Sequence, residues 1–292
     1  MKVYLHDVRT GFEGFQRIIE LAGQIQLPGP GEYDVDMSGL GWLDANMCAP
    51  LGAILHKKQS EGTHITISSV ARRPRAIMQK NHFLLQFGWD PMRDWHGTTI
   101  QYRRFEPTNR ALKNEFQEYV NRHFQRGSKG LPNMTQELLR KLRESIFEIF
   151  ENALEHSYTE HGVFACGQFY PRANRLDFSI ADLGVGIRGN IERNLGKRLA
   201  PEYAIQWALS GNTTRRGRPG GLGLQLIQEF ISLNEGRLIL ASDAGYWELS
   251  HGNVSTRLFS TPFPGTVVTM EINTADKKSY CLRSEIDRSN IF

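Results

Sequence analysis

Three stretches carry side chains whose types and spacing can do chemistry together. The first reads Glu148-Ile-Phe-Glu-Asn152-Ala-Leu-Glu-His156, the second Asp182-Leu-Gly184-Val-Gly186-Ile187, and the third Gly217-Arg-Pro-Gly220-Gly221-Leu222-Gly223-Leu224. Glu148 and Asn152 are four apart, so on a helix they are neighbours, and His156 continues their row. An Asn oxygen can ligate a hard cation such as Mg²⁺ without adding charge, because magnesium takes most of its ligands from phosphates and water. A carboxylate one turn away can accept a proton from an attacking water or hydroxyl. Asp182 ends a strand pattern, and a carboxylate only accepts, so it can bond the exocyclic amine of adenine. Gly184 and Gly186 allow the backbone close to a flat base.

The third stretch supplies the anion side. Backbone amides at a glycine-rich helix start bind phosphate well. Arg215, Arg216 and Arg218, just ahead, are bidentate donors that could close over a triphosphate. The combined expectation is one Mg-ATP site. Taken singly, each stretch also fits a solvated helix face, a tight turn or a basic loop. The glycines are not followed by Gly-Lys-Ser/Thr, so this is not a P-loop. No short βαβ unit surrounds them, which excludes the dinucleotide fingerprint.

These residues need elements to position them. Leu139, Leu142, Ile146, Ile149, Phe150 and Ala153 form one apolar stripe, predicting an amphipathic helix over 135–157. Leu176, Phe178 and Ile180 alternate, predicting a strand that ends at Asp182. The glycines of 220–223 open a helix through Phe230 and Ile231. Residues 235–241, 245–249, 255–260 and 266–272 read as strands or hairpin arms, with Trp247 in packing. The tail from Thr274 to Phe292 carries no readable role.

In this order the stretches resemble the GHKL ATPases, a superfamily that includes gyrase, MutL-type and heat-shock ATPases, histidine kinases and anti-sigma serine kinases. Glu148-x-x-x-Asn152-Ala153-x-x-His156 resembles the N box, and Asp182-x-Gly184-x-Gly186-Ile187 the first glycine box. Gly221-Leu222-Gly223-Leu224 resembles the second, and Gly265-Thr266 before the apolar run to Ile272 the closing Gly-Thr. The resemblance spans about residues 105–275. It implies Asn152 as the magnesium ligand and Asp182 as the adenine reader, helped by Thr266. Glu148 is implied as general base. His156, Gly184, Gly186, Ile187, Arg215, Arg216, Gly220, Gly221, Leu222, Gly223 and Leu224 are implied as nucleotide contacts. It also implies a mixed sheet covered by helices on one face, with residues 188–219 as the ATP lid.

Residues 1–100 read differently. Helical spacing over 14–26, a strand over 33–37, a helix over 49–58, a strand over 64–69 and a helix over 75–87 predict a small α/β layer. Asp36-Met-Ser-Gly-Leu-Gly-Trp-Leu-Asp44-Ala45-Asn46 and the elements after it resemble a STAS domain. Phosphorylated members of that family carry Ser or Thr just after the aspartate. Ala45 and Asn46 have no hydroxyl, so the resemblance implies a docking module instead of a phosphoswitch. Asp44 equally fits a helix N-cap. The expected fold is thus α/β (α+β), with a STAS-like domain over 1–100 and an ATP-binding domain over 101–292.

The expected function is a regulatory ATPase whose lid closure controls a protein partner or a homodimer contact. The alternatives are a serine/threonine kinase acting on a separate STAS-like protein, and a non-catalytic ATP-binding module. A histidine kinase does not fit, because an α/β pattern stands where a phospho-acceptor helix pair belongs. The 292 residues have 40% hydrophobic and 23% charged content and a net charge of +4, ordinary for a globular chain. No block of like charges suggests a nucleic-acid or membrane partner. Cys48, Cys166 and Cys281 lack CxxC spacing, which fits reduced thiols and a cytoplasmic location.

Overall fold

The computed structural model describes residues 1–25, 31–212, 214 and 222–286, with Leu222 described by its backbone alone. The fold is mixed α/β with several sheets. Its first layer runs β1 (Lys2–Tyr4), α1 (Phe12–Gln24), β2 (Glu32–Asp36), a 3-10 turn (Ala45–Met47), α2 (Cys48–Ser60), β3 (His64–Thr66) and α3 (Arg72–Lys80). The three strands form one parallel sheet in the order β1-β2-β3. Phe15, Ile18 and Leu21 give α1 its fully buried stripe. β3 is shorter than the alternation predicts, because the Asp34 carboxylate takes over at Ser68, accepting from its N–H at 3.0 Å and its hydroxyl at 2.6 Å. The helix predicted over 75–87 breaks at Asn81. That buried amide accepts the Phe83 N–H at 3.0 Å, and His82 adopts φ 68°. Side-chain competition of this kind ends helices, and a 3-10 turn over Leu84–Phe87 follows.

The second layer continues with β4 (Thr99–Phe105), α4 (Leu112–His123), β5 (Asn133–Met134), α5 (Gln136–Glu155), β6 (Val163–Tyr170), β7 (Arg175–Asp182), α6 (Gly186–Leu195), α7 (Pro201–Leu209), α8 (Leu222–Leu233), β8 (Arg237–Ser250), β9 (Asn253–Asn273) and β10 (Ser279–Tyr280). Five strands pair in the order β4-β6-β7-β9-β8, and every pairing is antiparallel. The expected mixed sheet is therefore corrected. Short turns join β6 to β7 and β8 to β9, and such turns allow only antiparallel neighbours. The tail gains a place too, since β10 pairs in parallel with β5.

A second correction concerns coverage. Helices were expected on one face of this sheet, and both faces are buried. On the front, α4, α5 and α8 pack over Val163, Phe178, Ile180, Leu240, Val268 and Met270. Phe150 of α5 stacks on Phe116 of α4 at 3.8 Å between ring centroids. Burial of each such ring is worth about 1.5–3 kcal/mol. On the rear, Phe164, Cys166, Ala181, Ile239, Ala241 and Val267 share a core with the first layer. The continuous burial of β6 and β7 follows from this two-sided cover.

The rear interface also carries a polar seam. Asp44 does not cap the 3-10 turn that follows it. Its carboxylate instead accepts from the Thr10 N–H at 2.7 Å, the Trp42 indole at 2.8 Å and the Arg175 guanidinium at 2.7 Å. Next to it, the Ala45 N–H donates to the Tyr170 hydroxyl at 2.7 Å, and the Asn46 amide donates to Ser179 Oγ at 3.0 Å. The Asp44–Asn46 turn is thus sealed against β6 and β7.

Candidate nucleotide site

α5 begins at Thr135, whose hydroxyl accepts the Leu138 N–H at 3.2 Å. Its apolar stripe is buried, which leaves Glu148 and Asn152 half-buried on the flank and His156 at the C-cap. β7 delivers Asp182 on the front face, two residues after Ile180, with 4% of its surface exposed. Beyond the strand the Gly184 N–H turns back to Asp182 Oδ1 at 2.8 Å.

The glycines here serve close backbone approach. A Cβ on Gly184 would lie 2.0 Å from the Ser157 carbonyl oxygen, so only glycine lets this turn close on the end of α5. The Val185 N–H completes that junction by donating to the Ser157 carbonyl at 2.8 Å. A Cβ on Gly265 would meet the Asp182 carbonyl at 2.0 Å, with φ at +139°. Gly186 starts α6 at φ +70°, and the next N–H, of Ile187, donates to Ser242 Oγ at 2.9 Å. Ser242 Oγ lies 3.0 Å from Thr266 Oγ1.

These elements enclose a cavity of about 130 Å³. One water needs only roughly 10–15 Å³ by that measure, so the space suits a larger group. Asn152, His156, Asp182, Gly186, Ile187, Leu224 and Thr266 all line it. Seven expected positions, from α5, β7, α6, α8 and β9, therefore meet at one place. Gly184 packs behind the wall. Glu148 does not line the cavity; its Oε2 accepts the Gly223 N–H at 2.9 Å, at the start of α8. A Cβ on Gly223 would stand 2.6 Å from that oxygen. Arg215, Arg216, Arg218, Gly220 and Gly221 lie outside the described residues, as does the Leu222 side chain.

Burial in this apolar recess pushes the Asp182 carboxyl up to about 7, against the pull of the Gly184 and Thr266 backbone N–H groups. The recess therefore holds a carboxylate that gains from any buried donor placed against it. Among the described residues, no cluster of three or more His, Cys, Asp or Glu could hold a metal ion. Asn152 lines the cavity, and an amide oxygen is a neutral donor of the kind hard cations take.

The span expected as a lid is not a single loop. Its first part is α6 and α7, with Ile191, Ala204, Ile205 and Leu209 buried. From this span Asn190, Trp207, Asn212 and Thr214 reach the cavity, and Asn190 donates to Thr214 Oγ1 at 3.1 Å. None of the four belongs to a motif in the sequence. Ser242 did have a signal: it is a polar residue in the inward register of Leu238 and Leu240.

The sequence matches no family model, and no curated protein matches it significantly.

Proposed function

We propose that the chain binds Mg-ATP in the manner of GHKL ATPases and acts as a nucleotide-dependent regulator, with its STAS-like first layer docked on the rear of the sheet. The observation that carries this reading is the convergence of Asn152, Asp182 and Thr266, from three separate elements, on one recess. In this reading the adenine amine donates to Asp182, with the Thr266 hydroxyl beside it and Ser242 Oγ supporting Thr266 from behind at 3.0 Å. The Asn152 carboxamide faces the metal-bearing phosphates. Bound magnesium supplies charge neutralisation on the phosphate oxygens. Glu148 takes the proton from the attacking water once it leaves the Gly223 N–H, so turnover is tied to movement at the start of α8.

In a protein kinase reading, the same base would serve a hydroxyl on a separate STAS-like protein. The chain's own turn offers only Ala45 and Asn46, buried on the face opposite the cavity. Incubation with γ-labelled ATP, alone and with candidate STAS-like proteins, tests both readings. Free labelled phosphate is the expected result, and label on the partner assigns the kinase. Failure to bind ATP at millimolar concentration in calorimetry would overturn the proposal.

A further inference from the structure

Resting on the nucleotide reading above, we infer that Trp207 is the base-binding wall of the recess, a stacking surface contributed by α7 that supplies affinity for the base. Three observations carry this. Trp207 lines the same cavity as Asp182, and among the described lining residues it is the one large aromatic side chain; the His156 imidazole is the other ring. Its helix is anchored: Ala204, Ile205 and Leu209 are buried, so α7 presents the indole from a fixed support. The turn that follows is tied down as well, because the Asn212 amide donates to the Trp207 carbonyl at 3.0 Å, and Asn212 lines the cavity too.

The chemistry complements that of Asp182. A carboxylate reads one edge of a base and does nothing for its faces. The rest of the apolar lining is aliphatic, including Ile149, Ile180, Ile187, Leu240 and Val268. An indole adds the polarisable surface that a flat heteroaromatic ring prefers. Because stacking acts on the base alone, its contribution is the same for adenosine, ADP and ATP.

Calorimetric titration of the full chain with adenosine, Mg-ADP and Mg-ATP tests this, comparing wild type with Trp207→Ala, Trp207→Phe and Asp182→Asn. Trp207→Ala is expected to raise Kd roughly 5- to 150-fold for all three ligands, the range of a base–aromatic stack. Trp207→Phe stays within about threefold of wild type, since a phenyl ring still stacks. Wild-type tryptophan fluorescence should change on adding adenosine, and Trp207→Phe should lose that change. Thermal unfolding of each variant guards against a folding defect; Trp207→Phe keeps the question answerable if the alanine variant is unstable. If Trp207→Ala binds like wild type while Asp182→Asn binds at least roughly 10-fold more weakly, the inference fails and the nucleotide reading stands. A loss confined to Mg-ATP would place Trp207 at the phosphates and overturn the inference. If wild type binds none of the three, both fall.

Discussion

The two faces of the five-stranded sheet each bury a carboxylate of β7, and they treat it differently. On the rear, Asp177 is fully buried within a seam of charges. Arg175 reaches it at 3.4 Å, and also reaches Asp44 at 2.7 Å and Glu271 at 3.3 Å, while Arg237 pairs with Glu271 at 2.9 Å. Burial lifts the Asp177 carboxyl well above the usual range, with Arg175 opposing. On the front, Asp182 is equally buried, yet its named partners are backbone N–H groups and it lines a cavity. The rear carboxyl faces the Arg175 guanidinium at 3.4 Å, but neither of its oxygens has a hydrogen-bond partner among the described residues, so it is held among the charges of its own chain. The front carboxyl accepts the Gly184 N–H and lines a cavity, and a perturbed acid in a cavity is the combination found at functional sites.

The largest effect expected is on the front face. Glu148→Gln should keep ATP affinity and lose about 100- to 10,000-fold in turnover, the usual contribution of a general base. Phosphate release by the variant at the wild-type rate would remove the base assignment and leave Glu148 the structural role of accepting the Gly223 N–H.

Next comes the rear. Arg175→Ala strips the guanidinium from Asp44, Asp177 and Glu271, and breaking a buried pair in this way costs about 3–5 kcal/mol. Chemical denaturation should show that loss, with ATP affinity unchanged in the folded fraction. A loss below about 1 kcal/mol would break the comparison, because the rear seam would then be no stronger than a surface pair.

The sequence made the front face legible and hid the rear. Leu176, Phe178 and Ile180 mark one face by period, and the Glu148–His156 spacing marks the flank of α5. Asp177, Ser179, Thr269 and Glu271 have the same alternating polarity as a solvated face. Nothing in that period distinguishes water from a polar partner layer, so the first layer's docking was invisible. Asp44 was ambiguous for a related reason: an aspartate before a helix suits a cap, and two of its three partners, Thr10 and Arg175, lie 34 and 131 residues away. Trp207 was hidden because stacking walls need no fixed spacing.

A smaller effect tests the front carboxyl by pH. The folded-state Asp182 titrates near 7, above an unfolded aspartate near 4, so the folded protein binds the extra proton. Stability from this group is fully present below about pH 4 and is lost as pH rises through 7. Asp182→Asn cannot titrate and keeps an oxygen for the Gly184 N–H. Without nucleotide, its stability advantage over wild type should therefore grow between pH 5 and pH 8, to the order of a few kcal/mol. The same variant should bind ATP roughly 10- to 100-fold more weakly, the loss expected for a charged hydrogen bond. Equal melting temperatures of the two proteins at pH 8 would show that Asp182 is not strained by burial.

The finest test asks whether the faces are independent. Asn46 is fully buried on the rear, donating to Ser179 Oγ and accepting from the Thr10 hydroxyl, each at 3.0 Å. Ser179 keeps a second partner in Thr269, 2.7 Å away, so Asn46→Ala orphans mainly Thr10. One orphaned buried hydroxyl costs about 1–2 kcal/mol. Ser179 and Asp182 lie three residues apart on β7 and point to opposite faces, with the backbone of the strand as their direct link. If the rear layer is only a support, the variant should lose that stability and bind ATP within about twofold of wild type. A shift in Kd beyond roughly fivefold, which is a coupling of about 1 kcal/mol, would mean that docking on the rear is sensed in the recess. The first layer would then belong to the regulatory mechanism, and a partner that loosened it would change nucleotide occupancy.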